Sequence, residues 1–175
     1  MTSKLFLLDR DGVINYDSKH YVRKESDWEP IPGSLDAIAK LKKAGYKVIV
    51  VTNQSGIGRG YLDIHDLHKI HNRLLCELAA RGATVDAFFF CPHHPIKNCI
   101  CRKPSDGLLL SLRQKLNIDL VGVPFVGDKE SDALAALSVG ARPILVKTGA
   151  ALSETSATNY EVFEDLAQVV RTFVK

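Results

Sequence analysis

The feature that most constrains the fold of this 175-residue chain is an alternation of short apolar runs with longer amphipathic stretches. The apolar runs contain few polar residues, which is typical of strands that helices cover on both faces. Strands of this kind, alternating with helices, build a doubly wound parallel sheet, so the predicted fold class is α/β. The predicted strands are residues 5–8, 47–51, 85–90, 124–126 and 143–147.

The amphipathic stretches follow the 3.6-residue period of helices that pack on a sheet. The predicted helices are residues 34–44, 63–81, 106–116, 131–139 and 164–173. Residues 15–31 break the alternation with polar and aromatic side chains, and we interpret them as a loop inserted over the end of the first strand. The length suits one domain over residues 1–175, without a large cap domain.

Charge and composition exclude several classes of partner. The net charge of +3 comes with no dense run of Lys or Arg, so we expect neither nucleic acid nor a membrane as partner, but a small molecule. The first apolar run is only four residues long, which indicates a buried strand and not a signal peptide. We therefore expect a cytoplasmic protein. We also expect a monomer, although these observations do not bear on oligomeric state.

Polar residues cluster directly after the predicted strands. The first strand leads into Asp9-Arg10-Asp11-Gly12, the second into Thr52-Asn53-Gln54-Ser55-Gly56, and the fourth into Gly127-Asp128-Lys129. Arg102-Lys103-Pro104 precedes the helix before the fourth strand. Each piece alone has an ordinary explanation, as a turn, a helix cap or a solvated surface. Because parallel strands end at one edge of a sheet, the combination predicts a site there.

This set of side chains suits phosphoryl transfer, in which charge neutralisation and alignment carry most of the catalysis. Carboxylates can hold Mg²⁺, which offsets the repulsion between an attacking carboxylate and the phosphoryl oxygens. A lysine and a hydroxyl can neutralise and hydrogen-bond the same oxygens. A second carboxylate two residues from the nucleophile can protonate the leaving alcohol and then deprotonate a water.

The order Asp-x-Asp-Gly, Thr, Lys, Asp resembles the four motifs of the haloacid dehalogenase superfamily of phosphotransferases, and the resemblance spans roughly residues 5–147. It implies that Asp9 is the nucleophile and a Mg²⁺ ligand. It also implies that Asp11 is the general acid and base and lends its backbone carbonyl to the metal. An aspartate at this second position fits the phosphatases of the superfamily and not its dehalogenases.

The same resemblance implies roles for the later motif residues. Thr52 and Lys103 would bind the transferring phosphoryl group. Asp128 would complete the Mg²⁺ site, with Lys129 adjacent to it. Asp132 would support Lys103 and the metal site without binding the metal directly.

Three thiols and two imidazoles fall within residues 91–101. Cys91, His93, Cys99 and Cys101 form a Cys3His set with spacing suited to a structural Zn²⁺, and His94 is the alternative to His93. A Cys99–Cys101 disulfide is the competing interpretation, although so small a ring is strained. Because Lys103 follows Cys101 by two residues, zinc would fix the loop that delivers this lysine.

A zinc loop narrows the resemblance to two groups within the superfamily. One removes the 7-phosphate of D-glycero-D-manno-heptose 1,7-bisphosphate on the route to ADP-heptose and the lipopolysaccharide core; the alternative is the histidinol-phosphate phosphatases of histidine biosynthesis. The stretches 9–15, 52–60 and 127–129 resemble the first group, whereas the short spacing from His93 to Cys99 also resembles the second. By the first resemblance the substrate-binding residues are Asp17, Ser18, Lys19, His20, Asn53, Gln54, Ser55, Arg102 and Lys129, and Arg59 is a weaker candidate.

Other protein classes explain less of the sequence. A phosphoacceptor signalling domain would need its aspartate after the third strand, where Phe90-Cys91 stand. The spacing Gly56-x-Gly58-x-Gly60 lacks the third glycine of a dinucleotide-binding fingerprint and follows the second strand. A zinc-stapled interaction module would leave the strand-end aspartates without a role.

Overall fold

The computed structural model describes residues 4–174, which contain one parallel sheet of six strands in the order β3-β2-β1-β4-β5-β6. The order reverses direction between β1 and β4, and in open parallel sheets ligands bind beyond the strand ends at such a point. The strands are β1 (Leu5–Leu8), β2 (Lys47–Asn53), β3 (Ala87–Cys91), β4 (Pro124–Gly127), β5 (Arg142–Val146) and β6 (Glu161–Phe163).

Side chains of the central strands alternate between two hydrophobic cores, because successive residues of a strand point to opposite faces. In β1, Phe6 and Leu8 enter one core and Leu5 and Leu7 enter the other. All four side chains are buried. The strand is therefore apolar throughout, as expected where both faces of a sheet are covered.

Seven helices lie among the described residues. They are α1 (Ser34–Lys43), α2 (Ser55–Gly58), α3 (Ile64–Ala79), α4 (Gly107–Leu116), α5 (Glu130–Ser138), α6 (Glu154–Asn159) and α7 (Leu166–Phe173). Apolar faces of α1, α3 and α7 join the core that contains Phe6, and those of α4 and α5 join the core that contains Leu5. Along residues 4–174, no helix combines the length and the apolar character needed to cross a membrane.

The predicted fold class, a doubly wound parallel α/β sheet without a large cap, is confirmed. The five predicted strands and five predicted helices are present, with ends that differ by a few residues. The prediction omitted β6, α2 and α6, which are only three, four and six residues long, so they are too short to show a periodic pattern. Residues 15–31 are irregular apart from a single 3-10 turn at Glu25–Asp27.

Candidate active site

Three strand ends bring acidic and polar residues to one edge of the sheet. Asp9 directly follows β1, and its N–H donates to the Val126 carbonyl of β4 at 2.8 Å. Asp128 directly follows β4, and Thr52 lies at the end of β2. The parallel pairing of β1 with β2 and with β4 therefore brings these three residues to the same edge.

Lys103 is the cation at the centre of this edge, and it is only 3% exposed. Its Nζ donates to the Val51 carbonyl at 2.8 Å and lies 3.0 Å from Asp9 Oδ1 and 2.6 Å from Asp132 Oδ1. Burial disfavours its charge, but the two carboxylates outweigh burial and raise the pKa of Lys103 above its ordinary value. The side chain is a fixed ammonium beside the predicted nucleophile.

Asp9, Asp128 and Asp132 bring one carboxylate oxygen each within 4.8 Å of one another. Burial raises the pKa of Asp9 to about 7; Lys103 opposes this rise and Asp132 adds to it. Burial likewise raises the pKa of Asp128, with Lys129 opposing. Oδ1 of Asp128 is buried without a hydrogen-bond partner among residues 4–174. A divalent cation fits this set, because it would supply the missing partner and the missing positive charge.

The carboxylates of Asp132 and Asp128 have different surroundings. Asp132 uses Oδ1 for Lys103 and Oδ2 for the backbone N–H groups of Asp128 and Lys129, at 3.2 and 3.1 Å. Asp128 Oδ2 accepts from the Ala150 N–H at 2.8 Å, and Oδ1 stays unpaired. Asp128 therefore keeps one oxygen without a protein partner, whereas both oxygens of Asp132 have partners in the protein.

Two glycines make room for the Asp128 carboxylate. A Cβ on Gly12 or on Gly149 would overlap its atoms. Thr148 connects the segments that contain these two glycines, since its hydroxyl donates to the Gly12 carbonyl at 2.7 Å. The segment after β5 therefore shapes the metal site although it contains none of the predicted site residues.

Asp11 lies in a set of hydrogen-bond donors. Arg10 donates Nε–H to Oδ1 and Nη2–H to Oδ2, both at 3.0 Å. Asn15 donates to Oδ1 at 2.8 Å and Gln54 to Oδ2 at 2.9 Å. Burial acts to raise the pKa of Asp11, but the Arg10 guanidinium and these hydrogen bonds outweigh it and lower the pKa. The side chain is thus held as a carboxylate.

The Arg10 guanidinium is completely buried. Besides Asp11 it donates to Gln54 Oε1 at 3.1 Å and lies 3.4 Å from His71 Nε2. Gln54 in turn donates Nε2–H to the hydroxyl oxygen of Thr52 at 3.0 Å. Gln54, predicted to bind substrate, therefore links Asp11 and Thr52.

A cavity of about 540 Å³ opens over this edge. The predicted residues that line it are Asp9, Asp11, Asp17, Ser18, Lys19, Asn53, Gln54, Ser55, Arg59, Arg102, Lys103, Lys129 and Asp132. Thr52 and Asp128 are not among its lining residues because they are buried below the surface. His20 is exposed outside the lining, so the structure does not bring this predicted substrate residue to the site.

Lys129 joins the inserted loop to the site. Its Nζ lies 3.0 Å from Asp17 Oδ2 and 3.5 Å from Asp128 Oδ2. Burial lowers its pKa, but the carboxylates of Asp128 and Asp17 outweigh burial and raise it. A positive charge is therefore held at the mouth of the cavity, next to the predicted metal position.

The zinc loop, residues 91–101, brings its four predicted ligands together. The three Sγ–Sγ distances are 3.2 Å for Cys91–Cys101, 3.5 Å for Cys91–Cys99 and 3.5 Å for Cys99–Cys101. His93 Nδ1 lies 3.2 Å from Cys101 Sγ. A tetrahedral ion with Zn–S bonds of about 2.3 Å needs edges of roughly 3.8 Å, close to these values. The four residues fit zinc.

The alternatives at this loop do not fit. All four cysteines are free, so the Cys99–Cys101 disulfide is absent. His94, the alternative ligand, accepts the Ile96 N–H through Nδ1 at 3.2 Å, and its Nε2 lies 3.1 Å from Arg59 Nη1. The cluster of four possible ligand atoms includes His93 and does not include His94.

Sequence reasoning missed several residues that hold the site together. Arg10 stands between the two motif aspartates, and this position gave no signal that its side chain is fully buried. Asn15, Thr148 and Ala150 act through contacts with Asp11, Gly12 and Asp128 respectively. The contacts of Thr148 and Ala150, which follow β5, span more than twenty residues of sequence and depend on strand pairing, so no local pattern could reveal them.

Comparisons with known proteins agree with this geometry. Residues 6–64 match the family model for haloacid dehalogenase-like hydrolases, and residues 100–169 match a HAD-hydrolase-like model. The D-glycero-beta-D-manno-heptose-1,7-bisphosphate 7-phosphatase of Pseudomonas putida is 48% identical over 98% of this chain and 99% of its own length. That of Bordetella bronchiseptica is 47% identical over 83% of this chain and 82% of its own.

A solved structure shows the same likeness in three dimensions. The D,D-heptose 1,7-bisphosphate phosphatase of B. bronchiseptica, complexed with magnesium and phosphate, superposes with a TM-score of 0.90. It is 43% identical, and the match covers 97% of both chains. The chain therefore belongs to the haloacid dehalogenase-like hydrolases and, within them, to the family of the heptose-1,7-bisphosphate 7-phosphatases.

Proposed function

We propose that this chain hydrolyses the 7-phosphate of D-glycero-β-D-manno-heptose 1,7-bisphosphate through an aspartyl-phosphate on Asp9. The observation that carries the proposal is the buried cluster in which Lys103 joins Asp9 and Asp132 beside Asp128. This cluster supplies a nucleophile, a phosphate-binding cation and a metal ligand at one point. The names of the similar proteins support the choice of substrate.

Mg²⁺ is the cofactor that this site suits. Asp9 and Asp128 would hold it, together with the backbone carbonyl of Asp11. A bound Mg²⁺ would neutralise charge on the phosphoryl oxygens and lower the pKa of Asp9 so that it is ionised at neutral pH. The similar Bordetella structure contains magnesium and phosphate, which supports this assignment.

In the first half-reaction, a carboxylate oxygen of Asp9 attacks phosphorus, and the bond from phosphorus to the sugar oxygen breaks. Lys103 neutralises the phosphoryl oxygens. Thr52 can donate its hydroxyl proton to them, because its oxygen already accepts from Gln54. Asp11, a carboxylate in the free protein, takes up a proton from water when the anionic substrate binds and gives this proton to the departing sugar oxygen.

In the second half-reaction, a water attacks the phosphorus of the aspartyl-phosphate. Asp11 accepts the proton of that water, inorganic phosphate leaves and the Asp9 carboxylate is restored. The donors from Arg10, Asn15 and Gln54 stabilise the carboxylate form that this step requires. The free protein is therefore arranged for the base role of Asp11.

Structural Zn²⁺ is the second metal we propose, held by Cys91, His93, Cys99 and Cys101. It would add no catalytic group, because four protein ligands complete a tetrahedral site. Its role is to order the loop two residues before Lys103.

Positive charge around the cavity supports a bisphosphate substrate. Arg59, Arg102 and Lys129 line it. The positive charges of Arg59 and Arg102 would attract a second phosphate bound in the cavity. Histidinol phosphate carries an ammonium in place of that phosphate and would be repelled. The comparisons give this alternative no support.

The deciding assay compares the heptose bisphosphate with histidinol phosphate at saturating Mg²⁺. One charge-assisted contact is worth about 1.5–3 kcal/mol, so we expect kcat/KM to favour the bisphosphate by roughly ten- to a hundredfold. Arg102→Ala should remove much of this preference, whereas Arg113→Ala, on the exposed surface of α4, should keep it. Faster hydrolysis of histidinol phosphate would refute the substrate assignment.

Three further features are part of the proposal. Residues 1–175 form one phosphatase domain, since a single sheet takes strands from β1 to β6. The chain acts as a monomer. It works in the cytoplasm, where sugar phosphates are made; gel filtration and cell fractionation test the last two features.

A further inference from the structure

The side chain of Asn53, at the end of β2, forms two reciprocal hydrogen bonds with the main chain of Lys103. Its Nδ2 donates to the Lys103 carbonyl at 3.1 Å, and its Oδ1 accepts from the Lys103 N–H at 3.1 Å. The carboxamide therefore uses its oxygen and one of its N–H groups for hydrogen bonds to another residue's backbone. Although Asn53 lines the cavity, these bonds direct its polar atoms to Lys103.

The ammonium of the same lysine is also tied to β2. Its Nζ donates to the carbonyl of Val51, two residues before Asn53, at 2.8 Å. On the other side, Cys101 of the zinc loop precedes Lys103 by two residues. The segment that carries Lys103 is thus attached to β2 through both its main chain and its side chain, and to the zinc loop through the chain itself.

We propose that Asn53 is a positioning residue, which fixes the backbone of Lys103 against β2 and does not bind the sugar. The inference rests on the proposed function for the contact between Lys103 and the phosphoryl group. Loss of the carboxamide leaves the N–H and C=O of Lys103 without these partners, so the segment shifts. A displacement of about 1 Å in a catalytic group lowers the rate on the order of a hundredfold.

The first test is a comparison of two substrates. Asn53→Ala and the near-isosteric Asn53→Leu are assayed with the heptose bisphosphate and with p-nitrophenyl phosphate, which has no sugar. We expect kcat to fall by about ten- to a hundredfold for both, with the ratio of the two kcat/KM values unchanged. Asn72→Ala, on the exposed side of α3, is the matched control and should behave as wild type. A loss confined to the bisphosphate, mainly in KM, would show that Asn53 contacts the sugar and would overturn the inference.

The second test reads the backbone directly. Amide hydrogen exchange in residues 100–107 should become faster in Asn53→Ala, while exchange in β1 and the zinc content of about one ion per chain stay unchanged. Unchanged exchange in this segment would refute the inference, and so would faster exchange everywhere, which indicates a general loss of stability. If wild type shows no preference for the bisphosphate, the proposed substrate fails, but exchange and the p-nitrophenyl phosphate rates still decide the role of Asn53.

Discussion

Two regions meet at Lys103, and they are stabilised in different ways. The catalytic edge, consisting of Asp9, Lys103, Asp128 and Asp132, is almost fully buried, and its ammonium has two carboxylate partners within 3.0 Å. The zinc loop, residues 91–101, has its thiols beside one another with no protein cation between them. Its two isoleucines are 72% and 80% exposed.

The difference shows which of the two regions depends on a metal for its ordered structure. At the catalytic edge the charges of the protein itself hold Lys103 in place, so a metal would complete an arrangement that already exists. In the zinc loop no protein cation holds the three clustered sulfurs together, and the loop buries little apolar surface, so we expect a metal to supply most of its order. We therefore expect changes at the edge to abolish chemistry with little effect on zinc, and changes in the loop to lose zinc first.

Asp9→Asn should have the largest effect. An amide neither attacks phosphorus nor binds Mg²⁺ well, so kcat should fall by a factor on the order of 10³ or more. Zinc content should stay at about one per chain, and the exposed control Asp119→Asn should keep full activity. Activity above a few per cent of wild type would show that Asp9 is not the nucleophile, and loss of zinc would contradict the independence of the two regions.

The residues of the catalytic edge could be placed from the sequence for a physical reason. Asp9, Thr52 and Asp128 could be placed from sequence because parallel strands end at one edge, so a motif at a strand end already has a position. Zinc ligands could be predicted because their spacing is local. Contacts such as Ala150 N–H to Asp128 could not, since they depend on how β5 pairs with β4.

The side-chain contacts of Asn53 could not be predicted for a related reason. Its position after a strand correctly indicated the cavity. Its side chain, however, pairs with a residue fifty positions away, and sequence alone cannot distinguish an amide that faces a ligand from one that faces the backbone. The same limit applied to the inserted loop, where Asp17 reaches Lys129 while His20 stays outside the site.

Cys99→Ser should have the second largest effect, and it tests the other side of the comparison. Loss of one ligand should release zinc, lower Tm and reduce kcat/KM by about ten- to a hundredfold through displacement of Lys103. Cys76→Ser, an exposed thiol outside the loop, is the matched control. Wild-type activity in a zinc-free variant would mean that Asn53 and β2 alone suffice to place Lys103, which would break the link between the two regions.

Gly149→Ala should have a smaller effect, confined to the catalytic edge. The added Cβ overlaps the Asp128 carboxylate, and overpacking of about 1–3 kcal/mol corresponds to roughly tenfold weaker Mg²⁺ binding or more. The measurements are the Mg²⁺ concentration for half-maximal activity and the rise in Tm on adding Mg²⁺. Ala151→Gly, at an exposed neighbour, controls for the loop, and zinc content should not change. Unaltered Mg²⁺ dependence would show that Asp128 does not bind the metal.

The smallest effect at neutral pH is expected below the catalytic edge, at His71. Its imidazole stacks on Phe88 at 4.1 Å and faces Arg10. Burial, reinforced by the positive charge of Arg10, lowers its pKa from 6.5 to about 3, with Asp11 opposing. Between these pH values the unfolded chain binds the proton and the folded chain does not. This contribution to stability is therefore complete above pH 6.5 and is lost as the pH falls toward 3.

His71→Gln removes this titration while it keeps a neutral hydrogen-bond acceptor for Arg10. At pH 5 the solution is about 1.5 pH units below the unfolded-state pKa of His71. Wild type should therefore lose roughly 2 kcal/mol more unfolding free energy than the variant between pH 7.5 and pH 5. Urea unfolding at both pH values measures the difference, and other titrating groups cancel because both proteins carry them. Acid also protonates zinc ligands, so the zinc content of both proteins must be equal at pH 5 for the comparison to hold. Parallel losses with equal zinc content would show that His71 accepts a proton in the folded state, and the acid sensitivity would then come from other groups.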